Sequence, residues 1–521
     1  MRVIDYFDKG VALDPARAAI LADDASWTYA EAQERSWRIA CGLHVRGLLA
    51  GERVGVLSPN APDALIAMLG IWRAGGAWAP LNPLNALEAT TAFMNEVDCR
   101  YLFLHSRFQS EVQRIREAVP GLRHIVCLDE PFSGAEPIEE LIAAGTGVDL
   151  PDWGDPFGRP ELVCATFPTG GTTGRSKAVL LTNQVWATLV ELSTRTWPQM
   201  EGAVNLVAAP ITHAAGVMAV IFATAGATIV IRPKFDADDV LDGIERHRVT
   251  HLFLPPTAYY RLLERQQSHP RDVSSLKMML VAAAPVAPEK LGQGVEVFGP
   301  CMAQCWGQAE APFLLTYLST EDVAAAARGE HPERLASAGK PTFSVQVGVI
   351  DDEGRLLGAG ERGELVTRGR LVTPGYLNRP EATEEVRRFG WHLTGDVGYL
   401  DEHGYVYIVD RKKDMIITGG FNVYPAEVEA AILGLPEVRE CAVIGVPDPK
   451  WGEAVRALVV PARDGWAQAD YVIAHAKQVL GSVKAPKQVD FVEQLPRTPV
   501  GKTDKRALRA EFWSGLERAV N

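Results

Sequence analysis

A strand–helix–strand pattern near the N-terminus limits the fold of this chain more than any other feature. The apolar run Val54–Leu57 is followed by the turn Ser58–Asn60, which offers capping side chains, and then by Asp63–Arg73, whose apolar residues recur at helical spacing. Two glycines end the predicted helix. Ala77–Leu81 is predicted to be a second strand, although Pro80 within it is unusual for a central strand. A β-α-β unit of this kind builds a parallel sheet covered by helices, so we expect an α/β fold.

The pattern changes in the second half of the chain. Strands are predicted at Thr250–Leu254 and Met278–Val281, whereas from Val345 onward short strands alternate with turn residues, which predicts a small β-rich subdomain. The charge run Asp410–Asp414 lies between apolar segments and marks a predicted domain boundary. Beyond it, helices are predicted at Pro425–Leu433 and Asp470–Leu480, and strands at Cys441–Val446 and Val455–Val460.

A chain of 521 residues is too long for one ordinary hydrophobic core, so two or more domains are expected. We expect a large N-terminal domain, residues 1–411, which combines helix-covered sheets with the small β-rich subdomain. A small mobile C-terminal α/β domain, residues 412–521, is expected to follow it.

Composition excludes several classes of protein. The formal net charge is −13, from 52 basic and 65 acidic residues, which argues against a nucleic-acid-binding surface. The seven cysteines are scattered without CxxC spacing, which is typical of a reducing compartment and predicts no disulfide framework. Cys301 and Cys305 could supply half of a metal site, but no matching pair of ligands follows, so buried apolar packing is favoured for them.

The sequence also bears on membrane contact. The first residues contain no basic segment leading into an apolar stretch, so we expect no secretory signal, no transmembrane segment and a cytoplasmic protein. Gly202–Ile231 carries no charged residue, but Pro210, Thr212 and His213 interrupt it, and Val217–Ile231 is shorter than the ~20 residues of a membrane span. We interpret this stretch as a buried helix and strand, with peripheral membrane contact as the alternative.

The segment Thr169–Lys177 is the strongest chemical signal. It places three glycines, three threonines and one lysine directly after the apolar run Leu162–Phe167. Glycines allow successive backbone N–H groups to turn toward an anion, threonine hydroxyls add donors, and lysine adds a mobile positive charge. The segment lacks the Gly-Lys-Ser/Thr ending of a Walker A loop. We interpret it as a phosphate-binding loop, with an ordinary solvent-exposed loop as the alternative.

Three further segments carry polar residues that a scaffold does not need. Gln304–Glu310 combines an aromatic plane, a glycine and a carboxylate, which suits base stacking and a divalent cation near phosphate. Trp391–Asp396 presents a carboxylate on a predicted turn, where it could accept hydrogen bonds from a ribose diol. Pro496–Lys505 places Lys502 at the tip of a proline-stiffened loop. The structural alternatives are a core tryptophan, a solvated carboxylate and a surface lysine.

In this order and spacing, the segments resemble the adenylate-forming superfamily, which includes acyl-CoA synthetases, aryl-CoA ligases, luciferases and nonribosomal-peptide adenylation domains. The most specific matches are Thr169–Lys177, Thr394-Gly395-Asp396 with Asp410-Arg411 downstream, Gly419–Pro425 and the Lys502 loop. The resemblance covers nearly the whole chain and is closest to fatty-acid or aryl CoA ligases.

The resemblance implies a reaction in two steps. A carboxylate attacks the α-phosphate of ATP to give an acyl-adenylate and pyrophosphate, and a thiol then displaces AMP. ATP, Mg²⁺ and CoA are the implied cofactors. The residues implied to bind ATP or AMP are Thr169, Gly170, Gly171, Thr172, Thr173, Gly174, Lys177, Trp306, Gly307, Gln308, Asp396 and Arg411, and the implied Mg²⁺ ligand is Glu310.

The resemblance also implies catalytic and moving parts. Lys502 would stabilise negative charge in the first step, and His213 would gate the acyl pocket, although a lone histidine in an apolar run is otherwise a core residue. The C-terminal domain would rotate between the steps about a hinge at Lys413. The residues implied to contact CoA are Gly419, Gly420, Lys484 and Lys487, and solvated surface lysines are the alternative for the last two.

Some positions depart from the family pattern. Ala309 replaces a threonine that usually donates a hydroxyl to the α-phosphate, and loss of such a donor would cost on the order of 1–3 kcal/mol of transition-state stabilisation. Ala282–Ala284 stands where relatives often have glycines beside the adenine. Ser176 and Ala178 replace a proline and a glycine of the phosphate loop, which would change its stiffness.

The expected activity is an AMP-forming acyl-CoA synthetase that acts on a fatty or aryl carboxylic acid. The Gly419–Pro425 stretch, and the end of the sequence at Asn521 without a carrier-protein segment, favour CoA as the acceptor. The alternatives are transfer to an amine or a carrier protein and, because of Ala309, a nucleotide-binding relative with little turnover. No nucleic-acid partner is expected, and a homodimer is the default assembly.

Overall fold

The structure is a computed structural model that describes residues 1–23, 25–151, 158–169, 176–463, 465–498 and 503–513. The α-helices are α1 (Val3–Leu13), α2 (Tyr29–Val45), α3 (Pro62–Arg73), α4 (Leu87–Glu96), α5 (Val112–Ala118), α6 (Ile138–Ala144), α7 (Asn183–Thr196), α8 (Ala214–Ala223), α9 (Ala237–His247), α10 (Pro256–Ser268), α11 (Pro288–Phe298), α12 (Thr320–Ala327), α13 (Pro380–Glu385), α14 (Pro425–Leu433), α15 (Ala469–Lys484) and α16 (Lys505–Ala510). Short 3₁₀ helices span Ser106–Glu111, Pro332–Ala336 and Lys412–Asp414.

The strands alternate with these helices over much of the chain. They are β1 (Ala18–Ala22), β2 (Ala25–Thr28), β3 (Arg53–Leu57), β4 (Ala77–Leu81), β5 (Tyr101–Leu104), β6 (His124–Cys127), β7 (Glu136–Pro137), β8 (Val163–Pro168), β9 (Ala178–Thr182), β10 (Val204–Val207), β11 (Thr228–Ile231), β12 (His251–Leu254), β13 (Met278–Val281), β14 (Met302–Gln308), β15 (Ala311–Leu318), β16 (Lys340–Pro341), β17 (Val345–Ile350), β18 (Gly363–Gly369), β19 (Arg387–Arg388), β20 (Trp391–Leu400), β21 (Val406–Arg411), β22 (Ile416–Thr418), β23 (Phe421–Val423), β24 (Val438–Asp448), β25 (Gly452–Pro461) and β26 (Gln488–Phe491).

The predicted β-α-β unit is present, and the α/β fold class is confirmed. Strands β3 and β4 pair in parallel, from Arg53 opposite Ala77 to Leu57 opposite Leu81. Pro80 lies inside β4, where a proline is unusual because it has no amide hydrogen to donate. The pairing of β4 with its other neighbour, β8, accounts for it. That pairing joins Trp78 to Ala165 of β8, before Pro80, so no amide is needed from the proline there.

The chain forms two compact units. The first contains residues 1–347 and 367–392, and the second contains residues 348–366 and 393–521. The first unit holds a nine-stranded sheet, in the order β16-β15-β14-β13-β12-β10-β11-β1-β2, and a seven-stranded sheet, in the order β7-β6-β5-β3-β4-β8-β9. The predicted β-rich subdomain corresponds to a five-stranded sheet, in the order β17-β18-β20-β19 with β21 paired to β20.

Asn60 joins the two sheets of the first unit at the ends of their parallel strands. The sequence predicts a helix cap in this turn, and that prediction is wrong because Ala61 is the N-cap of α3 and makes no side-chain cap. The buried Asn60 amide instead donates to the carbonyl oxygens of Ala209 and Arg232, each at 3.0 Å, and accepts from Ile211 N–H at 2.7 Å. The carboxyl ends of β3, β10 and β11 therefore meet around one side chain.

A cluster of tryptophans fixes β8, the strand that leads into the predicted phosphate loop. The Trp72 ring lies edge-on to Trp78, with 5.8 Å between ring centroids, and 5.3 Å from the ring of Trp186 on α7. The Trp72 indole N–H donates to Cys164 O of β8 at 2.8 Å. Because buried aromatic side chains dominate core energetics, this packing holds β8 firmly against α3 and α7.

The second unit has its own hydrophobic core. Its sheet runs β23-β22-β25-β24, and β26 pairs in parallel with β25. Apolar residues of α14 and α15, among them Val428, Ile432 and Val472, pack on this sheet in one buried cluster, whereas Leu508 of α16 belongs to a second cluster. The predicted helix Pro425–Leu433 matches α14 exactly at both ends.

Most of the uncharged stretch Gly202–Ile231 is buried, as predicted. It contains α8 and β11, together with β10, which the sequence did not indicate. In the part of the chain that the structure describes, no helix combines the length and the hydropathy needed to cross a lipid bilayer. All seven cysteines are free thiols. Cys301 is buried, as expected, whereas Cys305 is only partly buried.

Candidate active site

The predicted phosphate loop connects β8 to β9, which pair antiparallel. Gly170, Gly171, Thr172, Thr173 and Gly174 lie outside the described residues. The two ends of the loop are joined, since Thr169 N–H donates to Lys177 O at 2.9 Å and Ser176 Oγ donates to Thr169 O at 2.6 Å. The loop therefore leaves and re-enters the sheet at one point, at the carboxyl end of β8.

Lys177 contacts a residue that sequence reasoning missed. Its ammonium nitrogen lies 4.9 Å from the centroid of the Tyr376 ring, which is a cation–π distance. The backbone next to Tyr376 extends the edge of β9, because Leu180 N–H donates to Gly375 O at 3.0 Å and Leu377 N–H donates to Ala178 O at 2.8 Å. The sequence signal that could have indicated Tyr376 is its place directly after Pro374-Gly375, a dipeptide typical of turns.

Glu310 lies at the turn between β14 and β15 and meets the same tyrosine. The Tyr376 hydroxyl donates to Glu310 Oε1 at 2.6 Å, and Thr373 N–H donates to the Glu310 backbone carbonyl at 2.8 Å. Lys177 and Glu310, which the resemblance assigns to phosphate and to metal binding, therefore contact the same phenol. Lys177 lies over the face of the ring, and Glu310 accepts from the hydroxyl.

The carboxylate of Glu310 fits a magnesium ligand. Among the residues that the structure describes, none donates a hydrogen bond to its Oε2, so one oxygen is available to a cation. Within those residues no three His, Cys, Asp or Glu side chains converge as a metal cage. Mg²⁺ is commonly held by one or two carboxylates plus substrate phosphates, so a single carboxylate near a phosphate loop is consistent with it.

Trp306, Gly307 and Gln308 belong to β14. Trp306 is buried, with 8% of its surface exposed. A Cβ atom on Gly307 would lie 2.6 Å from Phe313 N, so glycine is required for the close approach of β15. Gln308 Nε2 lies 3.4 Å from His392 Nε2, and burial lowers the pKa of His392 to about 4. The neutral imidazole can therefore accept a hydrogen bond from the Gln308 amide N–H.

His213 is the N-cap residue of α8, just beyond the carboxyl end of β10. Its N–H donates to Pro210 O at 3.0 Å, and its carbonyl accepts from Gly216 N–H at 3.1 Å. The side chain is half-buried at the start of an apolar helix. Ala283, after β13, has a φ of 75°, so the backbone there keeps the left-handed conformation that glycine favours although the residue is alanine.

Asp396 and Arg411 form an ion pair in the second unit. Arg411 Nε lies 2.8 Å from Asp396 Oδ1, and the two residues face each other across the antiparallel strands β20 and β21. The sequence predicts a turn at Thr394-Gly395-Asp396, and that prediction is wrong because the three residues lie inside β20. Gly395 has a φ of 69° within the strand, a left-handed conformation that favours glycine at this position.

The residues expected to act with the thiol lie at separate places in the second unit. Lys413 is in the 3₁₀ helix Lys412–Asp414, and burial lowers the pKa of its ammonium group. Gly419 and Gly420 form the turn between β22 and β23, with φ values of 57° and 82°. Lys484 pairs with Glu427, whereas Lys487 donates to backbone carbonyls at the end of α15.

Lys502 lies outside the described residues, and the segments on either side of its loop are joined. Arg497 and Thr503 form an isolated antiparallel bridge, and Asp504 N–H donates to Pro496 O at 2.8 Å. Lys505 at the start of α16 pairs with Glu429 of α14 at 2.7 Å, and the side chains are 18% and 17% exposed. The base of the lysine loop is therefore fixed to the core of the second unit.

Comparison with known proteins identifies the family of the chain. The model of the AMP-binding enzyme family matches residues 7–377, and the model of the AMP-binding enzyme C-terminal domain matches residues 427–502. A medium/long-chain fatty-acid–CoA ligase of Mycobacterium tuberculosis is 35% identical over 524 residues, which cover 97% of this chain and 89% of that protein. A feruloyl-CoA synthase of Amycolatopsis is 37% identical over 505 residues, which cover 96% of this chain and 97% of that protein.

A solved structure has the same fold over nearly the whole chain. The amide bond synthetase McbA of Marinactinospora thermotolerans superposes with a TM-score of 0.88 at 29% identity, covering 98% of this chain and 100% of that one. The two family models together span most of the sequence. The two relatives are more than 30% identical to it along almost its full length. The chain belongs to the AMP-binding enzyme family, the adenylate-forming superfamily that its motifs resemble.

Proposed function

We propose that this protein activates a carboxylic acid with ATP and transfers the acyl group to CoA. The carboxylate attacks the α-phosphate to give an acyl-adenylate and pyrophosphate, and the CoA thiolate then displaces AMP. The observation that carries this proposal is the meeting of Lys177 and Glu310 on Tyr376, since it joins a cation for phosphate oxygens to a carboxylate for a divalent cation. The relatives, a fatty-acid–CoA ligase and a feruloyl-CoA synthase, support CoA as acceptor.

In this proposal the residues of the first unit bind ATP. The loop from Thr169 to Lys177 holds the β- and γ-phosphates through backbone N–H groups, hydroxyls and the lysine. Glu310 holds Mg²⁺, which supplies positive charge next to the phosphates. Trp306, Gly307 and Gln308 form the wall beside the adenine, and the Trp306 ring supplies a plane for stacking.

The residues of the second unit bind the ribose and stabilise charge. Asp396 accepts hydrogen bonds from the ribose hydroxyls and is held in place by Arg411. Lys502 places its ammonium group at the α-phosphate and the attacking carboxylate, where negative charge concentrates in the transition state. The clamped base of its loop supports this role, because a charge stabilises a transition state best when its position is fixed beforehand.

The second step is proposed to require movement of a C-terminal domain, residues 412–521, relative to residues 1–411. Lys413 is the proposed hinge, and Gly419 and Gly420 line the path of the thiol. Lys484 and Lys487 are proposed to meet CoA phosphates, for which Lys484 would exchange its present partner Glu427 for the ligand. His213 is proposed to separate the acyl pocket from the nucleotide.

The proposed substrates are fatty or aryl carboxylic acids, because the relatives act on members of both classes by name. We place the enzyme in the cytoplasm and in fatty-acid metabolism, and we expect a homodimer. The alternative acceptor is an amine. The similarity of the fold to that of an amide bond synthetase supports this alternative.

A substrate panel tests the function. The protein is incubated with ATP, Mg²⁺ and single acids, including medium- and long-chain fatty acids and hydroxycinnamates, and pyrophosphate release and acyl-CoA are measured. We expect both products with at least one class of acid, and loss of both in Lys502→Ala. The exposed Lys477 on α15 provides the matched control Lys477→Ala, which should retain wild-type rates.

The acceptor is tested in the same assay. Pyrophosphate release without any acyl-CoA, together with amide formation when an amine replaces CoA, would replace the CoA proposal with the amide alternative. Nucleotide binding without pyrophosphate release for every acid would support the relative with little turnover and reject the ligase.

A further inference from the structure

Tyr376 contacts both charged side chains that the proposed function places at the ATP phosphates. Its ring lies under the Lys177 ammonium at 4.9 Å from the centroid, and its hydroxyl donates to Glu310 Oε1 at 2.6 Å. The side chain is 9% exposed. One phenol thus touches a cation through its face and an anion through its hydroxyl.

The backbone of Tyr376 is fixed on several sides. Its N–H donates to Thr383 Oγ1 at 3.1 Å, and the residue forms an isolated antiparallel bridge with Val179 of β9. Gly375 has a φ of 126°, and a Cβ atom there would lie 2.4 Å from Thr383 Cγ2, so the residue before the tyrosine has to be glycine. The ring is therefore held by the same strand that ends the phosphate loop.

The phenol remains a donor at neutral pH. A tyrosine hydroxyl has an ordinary pKa of about 10, so at neutral pH it is protonated and can donate to the carboxylate. A protonated phenol that bonds to Oε1 restricts the rotation of the Glu310 carboxylate. Among the described residues no donor contacts Oε2, so the restricted carboxylate keeps one oxygen for a cation.

We propose that Tyr376 is a positioning residue that sets Glu310 for the divalent cation through its hydroxyl and holds Lys177 beside the phosphates through its ring. The inference rests on the proposed function, because it takes the ligand to be ATP with Mg²⁺. The two contacts use different parts of the side chain, so they can be separated by substitution. Tyr376→Phe removes the hydroxyl and keeps the ring, whereas Tyr376→Leu removes both.

Nucleotide binding tests the proposal without turnover. The ligand is an ATP analogue with a methylene bridge between the α- and β-phosphates, which cannot release pyrophosphate, and its Kd is measured by calorimetry in excess Mg²⁺ and in EDTA, with no acid present. The ratio of the two Kd values reports how strongly the protein couples the nucleotide to the cation.

We expect Tyr376→Phe to reduce this Mg²⁺ enhancement about 10-fold and to leave Kd in EDTA unchanged, since only a hydrogen bond to a charged group is lost. Tyr376→Leu should in addition weaken binding in EDTA about 3-fold, because the ring contact with Lys177 is lost. Glu310→Gln should remove most of the enhancement. Tyr376→Phe combined with Glu310→Gln should then lose nothing further, since both changes act on one carboxylate.

Tyr407→Phe is the matched control. Tyr407 is buried to a similar degree, 8% exposed, and its hydroxyl lies 3.3 Å from a carboxylate oxygen of Asp401, outside the proposed ATP site. This variant should keep the wild-type ratio. Melting temperatures of the unliganded proteins show whether each variant folds, and the phenylalanine variants are expected to remain within a few degrees of the wild type.

Two results would overturn the proposal and leave the proposed function intact. One is an unchanged Mg²⁺ enhancement in Tyr376→Phe alongside its loss in Glu310→Gln. The other is an equal weakening with and without Mg²⁺, which a merely structural role would produce. A wild-type protein that fails to bind the analogue under either condition would overturn this inference and the proposed function together.

Discussion

Arg411 Nε and Asp396 Oδ1 lie 2.8 Å apart across two paired strands, and the two side chains differ greatly in exposure. The Asp396 side chain is 5% exposed, whereas that of Arg411 is 45% exposed. The Asp396 carboxylate is thus held by its position in β20 and by Arg411, whose side chain is partly exposed to solvent. This arrangement suits a group that accepts hydrogen bonds from a ligand without moving.

Asp396→Asn is expected to lower kcat/KM for ATP by about 10- to 100-fold, because hydrogen bonds to a charged acceptor become neutral ones. The measurement is pyrophosphate release with ATP varied at saturating acid. The control is Asp351→Asn, which alters a carboxylate paired with the exposed Arg355 at 2.7 Å and should change the rate less than 2-fold. Equal effects in the two variants, or an effect on the KM of the acid alone, would contradict a ribose role.

Gly419→Ala is expected to slow thioester formation and spare adenylation. Its φ of 57° disfavours alanine, and a Cβ atom would lie 2.7 Å from the Trp451 ring, so the turn proposed to meet the thiol has to move. Each half-reaction is measured separately, as pyrophosphate release and as acyl-CoA formation from a synthetic acyl-adenylate. We expect at least a 10-fold loss only in the second, an estimate based on ~1 kcal/mol of strain plus the displaced ring.

The matched control for this prediction is Gly465→Ala. Gly465 also has a positive φ, 78°, but a Cβ atom there would meet no described atom within 4 Å. It therefore shares the backbone strain without the clash, and both half-reactions should keep their rates. If Gly465→Ala slowed thioester formation as much as Gly419→Ala, strain alone would account for the loss.

Lys505→Met is expected to destabilise the second unit by about 3 kcal/mol, since it leaves the buried carboxylate of Glu429 without its cation. Burial already raises the pKa of Glu429, and Lys505 opposes that rise. Glu429→Gln combined with Lys505→Met should recover much of the loss, because the amide still accepts from Val443 N–H, as Glu429 Oε1 does at 2.7 Å. The readouts are the melting temperature of the full chain and amide exchange within α14. Additive losses in the double variant would contradict a coupled pair.

His251 predicts a pH dependence of stability. Its Nε2 lies 2.7 Å from Pro198 O, its Nδ1 lies 2.7 Å from Thr250 Oγ1, and burial lowers its pKa from 6.5 to about 4. Below pH 6.5 the unfolded chain binds a proton that the folded chain still excludes. Stability is therefore full above pH 6.5 and falls as the pH approaches 4, by about 3 kcal/mol at most from this group.

His251→Leu should flatten that slope in unfolding experiments between pH 7 and pH 4, whatever its effect on stability at pH 7. NMR titration of the imidazole provides an independent check. A folded-state midpoint near 6.5 would be inconsistent with the neutral, hydrogen-bonded ring.

Local patterns predicted the elements well wherever one helix or strand carried its own signal. Met278–Val281 and Pro425–Leu433 match β13 and α14 at both ends, because apolar runs bounded by turn residues or proline define such elements. The prediction of a turn at Thr394–Asp396 was wrong because a glycine in a sequence suggests a turn, whereas here Gly395 lies inside β20, directly before the residues that pair with β21.

The candidate site was predicted as a list of motifs and not as an arrangement. Lys177 and Glu310 each stand in a recognisable motif, but the residue between them, Tyr376, is distant from both in sequence and becomes visible only when its strand segment joins β9. The largely buried ion pair of Glu429 and Lys505 was not predicted for the same reason. The two residues are 76 positions apart, and neither lies in a recognisable motif. Long-range contacts of this kind carry no periodicity that a sequence could display.

Within the described residues, the amide of Asn60 bonds only to main-chain atoms, namely two carbonyl oxygens and one N–H. These three hydrogen bonds therefore do not depend on which side chains occupy positions 209, 211 and 232. Position 60, by contrast, needs a side chain that donates and accepts at the same time, so the alignment of the two sheets at this point depends on a single amide group.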